Sequence, residues 1–475
     1  MPPQEMHPSR EANPRLIALI VACALFMGQL DTSVVLVAIP DMAHAFAVRP
    51  VDLSIGVTIY ILAQAVMLPS SGWIADRFGA RRIFTLALGG FTLASVLCGT
   101  CHTLPQFIAA RIFQGVTAAL MIPVARMVLL HSTRKEDLIG VTTISTVPML
   151  VAPTVGPPIG GFITTYLSWP WIFLLNVPVG IAGVMLVLRY IPLIARPERR
   201  PFDWVGFVLL AGAAVGVLSG LEHLSVSGAS WLPGMSLIAA GAVGGLIAVR
   251  HLARQAHPVL SLACARIATF RASTMSGGLF VRLPVRALPF ILPLLFQEVL
   301  GYSAVYSGFA LLAMNGGDLV LKSMTTLTLR RYGFRDVLIG STVVMSAMIV
   351  LCALMVGQAS YALILIVLAA CGMARSLLFT GMSTLAFADI PRPELGSATV
   401  MWNLVLQLTG AFGISLAAIL LNLTSLARGE PAGHVSLRNC QVALLAMALL
   451  GALSLISFRR LPRDAGAHVS GHSPM

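Results

Sequence analysis

The chain has 475 residues, of which 57% are hydrophobic and only 10% charged, and its mean hydropathy is +0.89. Soluble domains carry about 25% charged residues, so this composition excludes a soluble enzyme, a disordered chain and a disulfide-rich secreted domain, and leaves a polytopic membrane protein. The net charge of +13 comes from 31 basic against 18 acidic residues, but the basic ones are scattered in short loops between apolar runs and form no nucleic-acid patch.

A bilayer-spanning helix needs about 20 mostly apolar residues. Such runs fall at 16–38, 53–74, 83–101, 105–129, 138–165, 171–193, 203–222, 232–250, 273–298, 303–322, 335–356, 360–382, 396–423 and 440–458, fourteen in all. The first is too long for a signal-peptide core and contains Asp31, so it is read as a retained span. An even number of spans places both termini on one side. That side holds 23 of the 31 Lys and Arg, including Arg10, Arg77, Arg81, Arg134, Lys135, Arg196, Arg199, Arg200 and Arg392. The other side holds only Arg49, Arg428 and Arg438, and five Arg lie within spans. The excess of positive charge predicts cytoplasmic termini.

The first span carries Leu30-Asp31-Thr32-Ser33 and ends at Ala38-Ile39-Pro40. The loop after span 2 reads Gly72-Trp73-Ile74-Ala75-Asp76-Arg77-Phe78-Gly79-Ala80-Arg81-Arg82. Its Arg-aromatic-Gly-x-Arg core returns as Arg331-Tyr332-Gly333-Phe334-Arg335, offset by 254 residues, and the same offset carries Gly156 onto Gly410. Two parallel repeats follow, spans 1–6 and 9–14, with spans 7 and 8 inserted between them. Cys98-Gly99-Thr100-Cys101-His102 spells the c-type haem attachment string. It sits where a span meets a loop of a few residues, with no soluble domain to enclose a porphyrin, and is read as coincidence.

Span 4 carries Arg111-Ile112-Phe113-Gln114-Gly115. An Arg at this depth is expensive in lipid and faces a partner or a water-filled cavity. Asp31 lies about 22 Å into its span at 1.5 Å per residue, and Arg111 about 21 Å from the same face of a ~30 Å core. They are level, and an Asp beside an Arg is a proton site whose affinity follows the distance of the Arg. Span 5 contains Gly156-Pro157-Pro158-Ile159-Gly160-Gly161. Trp169-Pro170-Trp171 with Asn176-Val177-Pro178, and Phe202-Asp203-Trp204, frame spans 6 and 7. In the C-terminal half, Arg282 and Arg286 stand one turn apart on one face of span 9. Arg282 and Asp318 lie about 10 and 8 Å from the cytoplasmic edge, close enough in height to pair. Glu222, Glu298 and Asp389 fall at span ends, where a charge costs little.

These motifs resemble the major facilitator superfamily, and within it the fourteen-span drug:proton antiporters, over nearly the whole chain. The loop at Gly72, Asp76, Arg77, Gly79 and Arg81 is similar to the family's cytoplasmic latch, although Ala80 replaces one basic position. Asp31 and Arg111 match the positions the family uses for proton coupling, with Leu36 standing where an Asn is common. Gly156, Pro157, Gly160 and Gly161 resemble the antiporter signature of exporters. The resemblance implies an all-α membrane protein of the major facilitator fold with 14 transmembrane helices. It divides as one six-helix bundle at 1–195, two inserted helices and linkers at 196–265, and a second bundle at 266–475.

The expected function is a proton-coupled antiporter exporting small amphipathic molecules such as drugs across the bacterial inner membrane. The candidate substrate cavity comprises Gln114, Arg282, Arg286, Asp318 and Gln407. A dedicated exporter of a metabolite or organic anion is the alternative, with a non-transporting membrane sensor behind it. Expected partners are the substrate, protons and the lipid bilayer, with a periplasmic membrane-fusion adaptor as a further candidate and no nucleic acid. No Gly-rich phosphate loop, Walker-type Lys or metal-ligand cluster stands in the sequence, so neither an enzyme nor a cofactor or metal is expected.

Overall fold

The computed structural model describes residues 14–131, 138–191, 201–225, 230–322, 324–391, 394–431 and 434–470. Arg10, Arg134, Lys135, Arg196, Arg199, Arg200 and Arg392 lie outside the described residues. The described chain is helical, without a strand. Fourteen helices cross it: α1 (Pro14–Ala45), α2 (Ser54–Phe78), α3 (Ala80–Gly99), α4 (Leu104–His131), α5 (Leu138–Tyr166), α6 (Trp171–Tyr190), α7 (Trp204–Ser225), α8 (Trp231–Leu252), α9 (Ala268–Val299), α10 (Ala304–Lys322), α11 (Thr325–Met355), α12 (Tyr361–Ala388), α13 (Leu395–Ala427) and α14 (Leu437–Arg459). Thirteen are long and apolar enough to span a membrane, and α5, with 29 residues, completes the set. Large exposed apolar side chains such as Leu86, Phe162, Val208 and Leu232 form the surface that faces lipid.

Local breaks follow the sequence. Pro69 turns the middle of α2 into a short 3-10 stretch, because it supplies no N–H to the α-helical ladder. Gly79, at φ +93°, separates α2 from α3, and Gly333, at φ +73°, kinks α11 at the equivalent point of the second repeat. Both are conformations that side chains with a Cβ avoid. The sequence predicts span 11 from residue 335, but the helix starts at Thr325, because the pieces on either side of Gly333 stack end to end. In α9, π-helical turns at Ala272–Ser276 and Leu295–Val299 flank a stretch containing three prolines.

The packing repeats with a shift of eight helices. In the first bundle α1 lies on α5, α2 on α4, and α3 on both α4 and α6. In the second, α9 lies on α13, α10 on α12, and α11 on both α12 and α14. The bundles meet along α5–α10 and α2–α13, two contacts that exchange under the same shift, as a two-fold axis along the membrane normal requires. Helices α7 and α8 form a hairpin whose α7 leans on α2 and α13. We call the face with the chain termini the near face and its opposite the far face.

Candidate functional site

Arg111 and Asp31 meet inside the first bundle, and neither side chain has any exposure. Arg111 Nη1 donates to Asp31 Oδ2 at 2.8 Å and to Gln114 Oε1 at 2.6 Å. Its Nε donates to the carbonyl of Gly56 at 3.1 Å. The other carboxylate oxygen accepts from Gln114 Nε2 at 2.9 Å and from Asn176 Nδ2 at 3.2 Å. Gln114 also donates to Ser95 Oγ. The guanidinium lies 4.2 Å above the Tyr60 ring, with Phe107 and Phe173 at about 6 Å. Five helices thus supply one sealed polar cluster.

Asp31 and Arg111, counted to equal depth along their helices, meet as expected. Gln114, a cavity candidate in the sequence, is fully buried in this cluster. Ser95, Tyr60 and Asn176 were not singled out for it. Asn176 does stand in the quoted Asn-Val-Pro string, and a polar residue within an apolar run is the signal that points to it. Cys98 and Cys101 are buried free thiols, and Cys98 Sγ faces Gln114 Oε1 at 3.7 Å.

A second feature leaves this cluster toward the other bundle. The Tyr60 hydroxyl accepts from Gln64 Nε2 at 2.8 Å, and Gln64 Oε1 accepts from Gln407 of α13. Arg111, Tyr60, Gln64 and Gln407 therefore form a continuous line from the ion pair to the bundle interface.

The glycine-proline motif of α5 is built for close approach on two sides. A Cβ on Gly156 would strike Ser33 Oγ, and one on Gly160 would lie 3.0 Å from Val34, both on α1. A Cβ on Gly161 would strike the Ala304 carbonyl of α10. Pro157 cannot donate to the carbonyl of Pro153, and Asn315 Nδ2 of α10 takes that acceptor instead.

In the second bundle, Arg375 of α12 donates to Asn315 Oδ1 at 2.7 Å and to Asp318 Oδ2 at 3.1 Å. The expected pairing of Asp318 with Arg282 is thereby corrected. Arg282 turns to α13, where it stacks 4.2 Å from the Trp402 ring and donates through Nη1 to the Thr274 carbonyl. Its Nε and Nη2 have no hydrogen-bond partner among the described residues. Arg286, one turn on, packs against Gly410 and Gly413.

At the near face, Gly79 ends α2 and Arg81 donates to the Leu188 carbonyl at the end of α6, where a helix terminus favours a cation. Trp73 stacks on Phe202 at 4.7 Å. Gly72, Asp76 and Arg77 line a hollow of about 600 Å³ together with Asp203, His257 and Ser397 of α13.

Asp203 caps α7 by accepting from the Gly206 N–H at 2.8 Å, and it also binds His251 Nε2 at 2.8 Å and the Val259 N–H. Burial alone would raise its affinity for a proton, but these hydrogen bonds hold the carboxyl below its ordinary range. With the folded value depressed, the stabilisation is complete above about pH 3.9, the unfolded value, and is lost as pH falls below it. Asp203→Asn is expected to destabilise the α7–α8 hairpin by about 1–3 kcal/mol at neutral pH. Thermal unfolding at neutral and acid pH checks this, and the deficit should shrink at the acid end.

Two pseudo-symmetric six-helix bundles, with a sealed ion pair inside the first and small-residue seams between them, define a membrane transporter. The chain belongs to the Major Facilitator Superfamily, whose family model matches residues 21–317 and 274–473. A Klebsiella pneumoniae protein named for multidrug resistance, MdtD, is 36% identical over 94% of this chain and 95% of its own length. The Escherichia coli protein of the same name is 34% identical over 95% of each. Among solved structures, a D-xylose–proton symporter superposes with a TM-score of 0.67 at 14% identity, over 95% of this chain and 98% of its own. A peptide transporter of the POT family reaches 0.67 at 11% identity, over 97% of this chain and 99% of its own. At these identities the structural likeness speaks for the fold.

Proposed function

We propose that the protein is a proton-coupled antiporter that exports small amphipathic molecules, drugs among them, across the inner membrane. The observation that carries it is the Asp31–Arg111 pair. A neutral Asp31 releases Arg111, whose charge in a sealed site must then find another partner. Arg111 touches α2 at Gly56 and Tyr60, so its movement bears on the helix that contacts α13. A proton is thereby converted into a preference between two arrangements of the bundles. The near face is the cytoplasmic one on the charge asymmetry of the loops. The bundles then divide at the linkers near residues 195 and 265.

The test is proton release linked to substrate in inverted vesicles, across cationic, neutral and anionic compounds. No substrate-linked pH change with any compound would favour the membrane sensor.

The near-face loop acts in this scheme as the latch. Asp76→Asn is expected to slow turnover several-fold while leaving substrate binding within about twofold, because it biases two states and touches no substrate. Transport rate measured beside equilibrium binding on the same preparation decides this.

A second substrate class is favoured by the second bundle's charges. Arg282, Arg286 and Arg375 outnumber Asp318, and two nitrogens of Arg282, Nε and Nη2, have no hydrogen-bond partner among the described residues. An organic anion would offset the surplus. Competition binding should then rank anionic or zwitterionic amphiphiles at least level with lipophilic cations. The Arg282→Gln, Arg286→Gln double variant should lose the anions selectively. Retained anion affinity in that variant rules the class out.

A further inference from the structure

The inserted hairpin brings a carboxyl to the seam between the bundles. Glu222 lies three residues from the end of α7, a span end where the sequence expects a charge to cost little. Instead its Oε1 accepts from Thr58 Oγ1 of α2 at 2.7 Å and from Ser415 Oγ of α13 at 2.6 Å. Ser225 Oγ approaches Oε2 at 3.4 Å, and Asn422 of α13 donates to the Ser225 carbonyl. One carboxyl thus clasps a helix of each bundle and holds the hairpin to both.

No cation balances it among the described residues. From α2 the facing group is a Thr hydroxyl, from α13 a Ser hydroxyl, and α13 contains no ionisable residue at all. Helix α8 carries none before Arg250. The other ionisable groups of α2 are Tyr60, which lies under Arg111, and Asp76 and Arg77 at the near end. On α7 itself the imidazole of His223 adjoins, lining the same hollow of about 270 Å³ between α2 and α7. Arg49 and Asp52, in the preceding far-face loop, bind each other.

A hydroxyl clasp suits a neutral acid. The Thr58 hydrogen has a second acceptor in the Ser54 carbonyl at 3.1 Å, which leaves the Thr58 oxygen free to accept the carboxyl proton. An ionised carboxylate in the same place would sit in a largely apolar hollow with only the adjoining His223 to balance it.

We propose that Glu222 is a second proton-binding carboxyl, neutral while its clasp joins α2 to α13 and ionised when the far side opens and parts them. The proton enters from the far side on closure and returns to that side on opening, so this site carries no net charge across. It makes closure of the far side depend on the pH outside. Helix α2 then lies between two acids. Gly56 and Tyr60 serve the Asp31 cluster, and Thr58, between them in sequence and on the opposite face, serves Glu222.

The role in transport rests on the exporter reading above; the protonation does not, and the two are tested separately. Infrared difference spectroscopy of the full-length protein should show a protonated-carboxyl band at neutral pH in wild type and in Asp31→Asn. That band should be lost in Glu222→Gln and shifted in Glu222→Asp. Spin labels on the far ends of α2 and α13 should report a separation that titrates with pH in Asp31→Asn and in His223→Gln. Glu222→Gln should flatten that titration with the labels held close. A carboxyl band that survives Glu222→Gln overturns the site, and a titration unchanged in Glu222→Gln overturns the clasp. A normal band and titration in a protein that moves no substrate would leave this site standing and sink the exporter function alone.

Discussion

Asp31→Asn is expected to abolish proton-driven export. The Asn side chain fills the same space and can still accept from Gln114 or Asn176, but it takes up no proton at physiological pH. It also leaves Arg111 as an uncompensated charge with no exposure. Removing one partner of a buried pair destabilises by about 3–5 kcal/mol, so the single variant should unfold at lower temperature as well as lose coupling. The double variant Asp31→Asn, Arg111→Gln separates the two effects. It should recover most of the stability and none of the coupling. Counterflow of substrate without a pH gradient is the discriminating measurement, because exchange survives loss of coupling. Export against a gradient at the wild-type rate in Asp31→Asn would show that Asp31 is not the proton carrier.

The second large effect belongs to α5. Gly161→Val places a branched side chain against the backbone of Ala304, where no flexible group can yield. Overpacking of this kind costs about 1–3 kcal/mol, and here it forces α5 and α10 apart at the point where the bundles cross. Transport should fall by at least tenfold, with a smaller loss of thermal stability. Gly301, which has nothing within 4 Å of its would-be Cβ but sits at φ +68°, is the matched control: Gly301→Asn should cost far less. Equal transport in Gly161→Val and wild type would remove the α5–α10 crossing from the moving parts.

How much of this was legible in the sequence depended on geometry. The fourteen helices were, because hydropathy reports length directly. The Asp31–Arg111 pair was, because depth along a helix is a count of residues and the internal prolines of α1 and α4, Pro40 and Pro123, lie beyond the stretches counted. The Arg282–Asp318 pairing failed on azimuth. A count of residues gives a height and not the direction a side chain faces: Arg282 looks to Trp402 on α13, while Asp318 binds Arg375 of α12. Glu222 was misjudged for another reason. A charge at a span end costs little only if nothing covers it, and the end of α7 is covered by α2 and α13. The repeated Arg-aromatic-Gly-x-Arg string was a sound guide, since its two glycines adopt the same uncommon backbone region.

Pro157 has a consequence for hydration. By withholding its own N–H it leaves one main-chain carbonyl of α5 to be satisfied by a side chain of the opposite bundle, Asn315. A backbone acceptor bonded within its own helix travels with its donor; this one does not. When the bundles tilt and the contact loosens, the Pro153 oxygen must find a water molecule. The seam between α5 and α10 therefore cannot open dry. Whichever face opens, the first water to enter has a place waiting at this seam, within reach of Asn315 and, through it, of Arg375 and Asp318. The apolar seam is wetted from a fixed point, and a substrate that follows meets a path already hydrated.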